Sequence, residues 1–345
     1  MSVKSILSGT GYNDKEFQSI VKTIIPPKNC FKTLSGEPAF SKYSIVVPGT
    51  ENSIYEASLV GTAFDYLARA MVARELLDKK EKSTLGYIAV RNLEEIKSKV
   101  THQEYRLLYN KTVTVLTDFI DFIYSNNTYC PDNLFTVCTE PEWDAWLKYM
   151  NKATSSTFSP IKNIMEIIDG AVYFAELEHI FRSGIMPEKG VSSLLQDKPV
   201  HIKNDLSELC KEFEKKFINQ GLVNPNSVVV FNPNFGTASC ICGGADADIY
   251  IDGTLYDFKT GKSTGYTWQE IAQLLTYFLL DIFANNNEAV DVPSDLAEFR
   301  INNIAFYRAR FGQVEFCNID NIVDEKFNDK FKLFFKHMLN RKTLF

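Results

Sequence analysis

From Tyr55 to Lys82 the apolar residues Leu59, Phe64, Leu67, Met71 and Leu76 recur at helical spacing and the run ends in charge, which predicts one long, partly buried helix. The same rhythm dominates residues 85–220, in NLEEIKSKV, QEYRLLYNKTVTVLTDFIDFIY, EWDAWLKYM, NIMEIIDGAVYFAELEHIFRSG and DLSELCKEFEKKFINQ, so this stretch reads as a helical block. After Gly221 the period shortens to two. NSVVVFNP, ADADIYID, TLYDFKT, INNIAFYRAR and QVEFCNID read as strands, with turns at Asp252-Gly253 and Gly312. A helix over Trp268–Ile282 lies between the hairpins and another, Val323–Leu339, closes the chain. Before Tyr55, the breakers Pro26-Pro27, Gly36 and Pro48-Gly49 leave room only for short elements and loops. There is no internal repeat and no long linker.

Composition narrows this picture. The 345 residues are 45% hydrophobic and 23% charged, ordinary for a globular chain, which excludes disordered and collagenous proteins. Lys plus Arg number 37 against 43 Asp plus Glu, a net charge of −6. That balance argues against a protein that coats nucleic acid by neutralising phosphates, while leaving open a local basic groove or a metal-dependent site. No run of about 18 apolar residues occurs and the first residues lack a signal-type stretch, so a cytoplasmic protein with no membrane association is expected. The cysteines (30, 130, 138, 210, 240, 242, 317) are scattered apart from Cys240-x-Cys242, and free, mostly buried thiols are expected.

The chemistry concentrates in GGADADIYIDGTLYDFKTGK, Gly243 to Lys262. A tight turn at Asp252-Gly253 sets Asp248 opposite Asp257 and Asp246 opposite Lys259. The period of two then puts these four side chains on one face, with Ala247, Ile249 and Ile251 on the other. Three carboxylates and one ammonium on a shared face are costly unless neutralised, and a divalent cation held by carboxylate oxygens does this, with the lysine orienting water or offsetting phosphate charge. The bland alternative is a solvated edge hairpin. An acidic residue two before a lysine also starts at Asp78, Glu95, Glu214 and Asp324, but only Asp257 lies in an apolar alternating strand. On the following helix, Gln269, Gln273 and Tyr277 form a polar stripe among Ile271, Leu274, Leu275, Phe278 and Leu279. Buried there, they need partners, from a phosphate, the lysine or one another.

With these residues in view, the chain resembles the PD-(D/E)xK nuclease superfamily, in its RecB-like, lambda-exonuclease-like branch. The resemblance rests on Asp248 in Ala247–Ile251, on Asp257-Phe258-Lys259-Thr260-Gly261, and on the chain's single Gln-x-x-x-Tyr, Gln273 to Tyr277, covering about 35 residues directly. It implies an α/β, restriction-endonuclease-like core, a mixed central sheet flanked by helices, with a large helical insertion. It also implies that Asp248 and Asp257 bind Mg²⁺ or Mn²⁺, that Lys259 assists the attacking water, and that Gln273 and Tyr277 lie beside DNA. Gly243-Gly244-Ala245-Asp246 fits the branch's Gly-x-x-Asp form as well, so Asp246 competes with Asp248, which is preferred because the apolar strand follows it at once. The branch adds an upstream acidic residue or histidine on a helix: Asp65 in Gly61-Thr62-Ala63-Phe64-Asp65, or else Glu176 or Glu178. Members with an iron–sulfur cluster carry three cysteines after the glutamine helix; only Cys317 follows it here, so no cluster is expected.

The resulting expectation is a DNA-cleaving, metal-dependent phosphodiesterase serving DNA processing, repair or defence, with DNA and a protein such as a helicase or defence-complex subunit as partners. The rival is a nuclease-fold protein that binds nucleic acid or a partner without cutting. Residues 1–84 would carry the first core helix, 85–225 a helical insertion or cap, and 226–345 the core sheet with the Gln/Tyr helix and the C-terminal helix. Gly261-Lys262-Ser263 is not a phosphate loop, because the required first glycine would fall at Tyr256. The basic closing helix, with Lys326, Lys330, Lys332, Lys336, Arg341 and Lys342, is either a solvated face or a DNA-backbone contact.

Overall fold

The computed structural model describes residues 3–76, 92–125, 139–286 and 291–342. The predicted end of the first long helix, Asp78, Cys130 and Cys138 fall outside these. In chain order the elements used below are α1 (Val3–Ser8), α2 (Tyr12–Ile24), β1 (Lys32–Thr33), α3 (Ile54–Glu75), α4 (His102–Tyr124), α5 (Glu140–Ala153), α6 (Ile168–Ser183), α7 (Val191–Leu195), α8 (Val200–Phe213), β2 (Val229–Phe231), α9 (Gly236–Ile241), β3 (Ile249–Ile251), β4 (Thr254–Lys259), α10 (Trp268–Asn285), β5 (Asn303–Arg308), β6 (Gln313–Asn318) and α11 (Phe327–Lys342).

The chain forms two compact units. The first comprises Met1–Ser44, Val228–Lys259 and Ser263–Phe345 and holds the sheet, in the order β1-β6-β5-β4-β3-β2. Only β4 and β5 run parallel; every other neighbouring pair is antiparallel. A parallel pair needs a crossover, and α10 supplies it between the two strands. The five strands read from period two all appear. β1 does not show in the sequence, because two residues are too short to alternate; Lys32 and Thr33 are strand by virtue of pairing with Phe316 and Glu315.

The apolar core of this unit lies on the sheet face that carries Leu255, Ile304 and Phe306, under Ile271, Leu274 and Leu275 of α10. These α10 side chains are fully buried, each contributing about 1.5–3 kcal/mol. Helices α1, α2 and α11 complete the core, Phe17 of α2 meeting Phe334 of α11 with ring centroids 5.8 Å apart.

The second unit comprises Ile45–Ser227 and Thr260–Lys262 and is helical. Its starts are chemically marked: Ser53 Oγ accepts the Glu56 N–H at 3.1 Å, and Thr101 with Glu104 and Thr139 with Glu142 form capping boxes before α4 and α5. α6 ends on Gly184 at φ 72°, the left-handed conformation that glycine adopts without penalty. Helix α3, assigned by sequence to the core segment, groups with this unit, and α3 packs on α6 and α8, with Phe64 edge-on to Phe213 at 5.7 Å. Gly61 on α3 faces Thr260; a Cβ there would sit 3.1 Å from Thr260 Oγ1, so the small residue permits that approach. Lys262 then pairs with Glu51 at 3.2 Å.

Candidate active site

The site is built on the β3–β4 hairpin. Asp252 and Gly253 both have positive φ, 45° and 88°, the two-residue turn whose twist suits adjoining antiparallel strands. Asp252 also closes the turn, its Oδ1 accepting the Val228 N–H at 2.8 Å, so this aspartate is structural. The turn fixes the pairs Ile251↔Thr254, Tyr250↔Leu255 and Ile249↔Tyr256. The pairing ends there: Asp248, predicted opposite Asp257, lies one residue before β3 and reaches β4 through its side chain. Asp248 Oδ2 takes the backbone N–H of Phe258 at 2.5 Å, tying it to β4 where the strand pairing ends. Asp246 is exposed; its Oδ1 accepts from Asn234 Nδ2 at 2.8 Å.

Asp257 is buried, 3% exposed, and Lys259 Nζ lies 2.6 Å from its Oδ2. The contact is close but misaligned: among the described residues Oδ2 accepts no hydrogen bond of good direction. Burial alone would pull the Lys259 ammonium down, but Asp257, and then Asp248 and Glu270, outweigh it and raise its pKa. Lys259 therefore stands as a proton-bearing cation.

Helix α10 covers this face with its first two turns. Gln273 Nε2 donates to Tyr277 Oη at 2.8 Å, and the buried Tyr277 ring stacks on Phe235 at 5.6 Å. Burial, then the negative charge of Asp257, pushes the Tyr277 phenol well up, so it stays neutral. Gln269, the third member of the predicted stripe, is exposed instead. Its place is taken by Glu270, which the sequence reading did not single out, although residues 270, 273 and 277 share one helical stripe. Arg308 on β5 donates through Nη1 to Glu270 Oε2 at 3.0 Å and through Nε to Glu315 Oε2 at 2.9 Å. Glu315 Oε1 in turn accepts the Phe40 N–H at 2.6 Å and the Tyr43 hydroxyl at 3.0 Å. Arg308 and Glu315 are 2% and 0% exposed. A signal for them existed: Phe306 and Arg308 alternate on the same strand face as Ile304, so the arginine had to enter the core with a partner.

This layer thus holds Asp248, Asp257, Glu270 and Glu315 against Lys259 and Arg308, an excess of two negative charges. A divalent cation would balance them, and the buried Asp257 oxygen without an aligned donor, beside Asp248, is chemically suited to one. Among the described residues, no group of three or more His, Cys, Asp or Glu side chains gathers as a metal nest.

The upstream candidates belong to the helical unit. Asp65 is half-buried on α3. Glu178 accepts from the Tyr66 hydroxyl at 3.0 Å and pairs with Arg182; Glu176 pairs with Lys198 at 2.5 Å. Glu178, His179, Ser58 and Thr62 border a cavity of about 40 Å³, enough for ordered water. On α11, Lys330 and Lys332 are taken up by Asp324 and Asp329 at 3.2 and 3.3 Å, and Arg341 is buried against the backbone carbonyl of Asn13. Cys30, Cys210, Cys240, Cys242 and Cys317 are free thiols. Among the described residues no helix is long and apolar enough to cross a membrane.

Comparisons with protein-family models, with curated proteins and with solved structures returned no match to this chain. The described residues form a mixed α/β protein with a six-stranded sheet and a charged, partly buried layer where β3, β4 and α10 meet.

Proposed function

We propose that the protein is a metal-dependent nuclease that hydrolyses DNA phosphodiester bonds. The observation that carries this reading is the end of the β3–β4 hairpin, where Asp248 is tied to the Phe258 N–H and Lys259 lies against the buried Asp257, in a layer with two surplus negative charges. The order of an antiparallel meander β2-β3-β4, helix α10 and a parallel strand β5 supports a restriction-endonuclease-like core. Asp248 and Asp257 would hold Mg²⁺ or Mn²⁺, which when bound polarises a phosphoryl oxygen and lowers the pKa of water. Asp246 would be the alternative to Asp248. Lys259, held as an ammonium, orients the water and offsets charge gathering on the phosphate. Gln273 and Tyr277, locked to each other, present a neutral polar edge to the substrate strand.

A second reading is a nuclease-fold protein that binds nucleic acid or a partner without cutting it, favoured by the direct Lys259–Asp257 pair, which already neutralises one ligand. One experiment separates them. Purified protein is incubated with labelled single-stranded, linear duplex and circular DNA in Mg²⁺, Mn²⁺ or EDTA, beside Asp257→Ala and Lys259→Ala. Cleavage that needs metal and is lost in both variants supports the enzyme. DNA retention without cleavage supports the binder, and equal cleavage by all three proteins removes the assignment of the site.

A further inference from the structure

Lys259 and Arg308 are paired in register on the parallel strands β4 and β5, so two cationic side chains project side by side from one sheet face. Like charges set opposite each other on neighbouring strands repel, and here both are largely withdrawn from water, the side chains being 20% and 2% exposed. Glu315 already neutralises Arg308 through Nε, and its other oxygen is held by Phe40 and Tyr43. Arg308 is further fixed over the Phe306 ring, its guanidinium carbon 4.9 Å from the centroid, and its Nη2 has no hydrogen bond among the described residues. The guanidinium is therefore an immobile anchor, and the second carboxylate it receives, Glu270, is surplus to its own neutralisation.

That surplus charge falls where Lys259 needs it. Glu270 stands in the first turn of α10 and feels both Arg308 and Lys259. A glutamate in a first turn suits the helix dipole wherever it points, but an exposed side chain would serve that purpose; this one is drawn inward to a buried arginine. Ion pairs run from Glu315 through Arg308 to Glu270 and from Lys259 to Asp257, and the strand register brings the two sets together at Lys259 and Arg308. We propose that Glu270 is a positioning residue: held by Arg308, it separates the two strand cations and keeps the Lys259 ammonium directed at Asp257. Its bearing on catalysis rests on the nuclease reading; its bearing on Lys259 does not.

The test uses Glu270→Gln, which keeps the shape and removes the charge, with Glu270→Asp as the conservative variant. The residue is one-third exposed, so the fold should hold, and cooperative thermal unfolding of each variant verifies it. Acetic anhydride labelling of Lys259, quantified by mass spectrometry of the full-length protein, is expected to be several-fold faster in Glu270→Gln than in wild type and nearly restored in Glu270→Asp. Where metal-dependent cleavage is present, kcat should fall at least tenfold in Glu270→Gln with KM for DNA within twofold. If wild type cleaves no DNA, the nuclease reading fails and the labelling comparison still decides the positioning claim. Equal labelling of Lys259 in wild type and folded Glu270→Gln overturns the proposal, as does a loss of cleavage expressed only in KM.

Discussion

Asp248 and Phe258 are joined across the end of the β3–β4 hairpin, the carboxylate Oδ2 accepting the backbone N–H at 2.5 Å. One side chain therefore closes the hairpin and supplies charge to the site, and substitution can separate these roles. Asn keeps an acceptor oxygen and loses the charge. Asp248→Asn should unfold close to wild type in urea, while Mn²⁺ binding measured by calorimetry weakens at least tenfold. Asp248→Ala also abandons the Phe258 N–H and should lose about 1–2 kcal/mol of stability. Equal Mn²⁺ affinity in wild type and Asp248→Asn would remove Asp248 from the metal site.

The Gln273–Tyr277 pair admits a double-mutant cycle. Tyr277→Phe removes the acceptor of a 2.8 Å bond inside the core and should cost about 1 kcal/mol. Gln273→Ala removes the donor. Residues in one hydrogen-bonded unit couple, and the double variant should be less destabilised than the sum by about 0.5–1.5 kcal/mol in urea titrations. Strict additivity would mean the two side chains act separately, and the stripe on α10 would then be two unrelated polar groups.

The charged hairpin was legible in the sequence because its signals are local. Asp252-Gly253 dictates a turn, the turn dictates the register of Ile249–Ile251 on Thr254–Tyr256, and Asp248 then meets β4 at Phe258 through its side chain. The five strands and α10 follow from periodicity in the same way. The alternation of Ile304, Phe306 and Arg308 marks the arginine as a core cation in need of a partner, but which carboxylates serve it was not legible, because that is set by a meeting of α10, β5 and β6, Arg308 lying 38 residues after Glu270. Gln269 was misread for a related reason: a four-residue stripe drifts around the helix, and burial chose the neighbouring position for Glu270. The grouping of α3 with the helices of residues 45–227, rather than with the sheet, depends on packing of its apolar side chains against α6 and α8, which periodicity does not encode.

The turn itself carries a stability expectation. Gly253 has φ 88°, and a Cβ there would lie 2.6 Å from Asn302 Nδ2. Gly253→Ala should therefore cost about 1–3 kcal/mol, through the left-handed backbone and the contact together. Asp252→Asn should be nearly neutral, since asparagine tolerates positive φ and keeps an acceptor for the Val228 N–H. Urea midpoints with unchanged slopes would verify both; an Asp252→Asn variant as unstable as Gly253→Ala would show that the charge, not the turn geometry, holds the hairpin.

His337 gives the expected pH dependence. It lies on α11, 5% exposed, with its ring 5.9 Å from Phe17 and Nδ1 3.3 Å from Glu16 Oε2, while Nε2 is buried without a hydrogen bond among the described residues. Burial pulls its pKa down; Glu16 pulls it up and Arg341 down again, and the net direction is down. The folded state thus binds this proton less readily than the unfolded chain. Stability from this residue is fully present above the unfolded value of about 6.5 and is lost as the pH falls through it toward the lower folded value. Each tenfold difference in proton affinity between the two states is worth about 1.4 kcal/mol. Urea unfolding at pH 7.5 and 5.5 should show a smaller loss in His337→Phe, which keeps an aromatic ring against Phe17 and has no proton to bind, than in wild type. Parallel curves for the two proteins over that range would mean that His337 takes up its proton in the folded state as readily as in water, and the packing of α11 on α2 would then have to admit a charged imidazole.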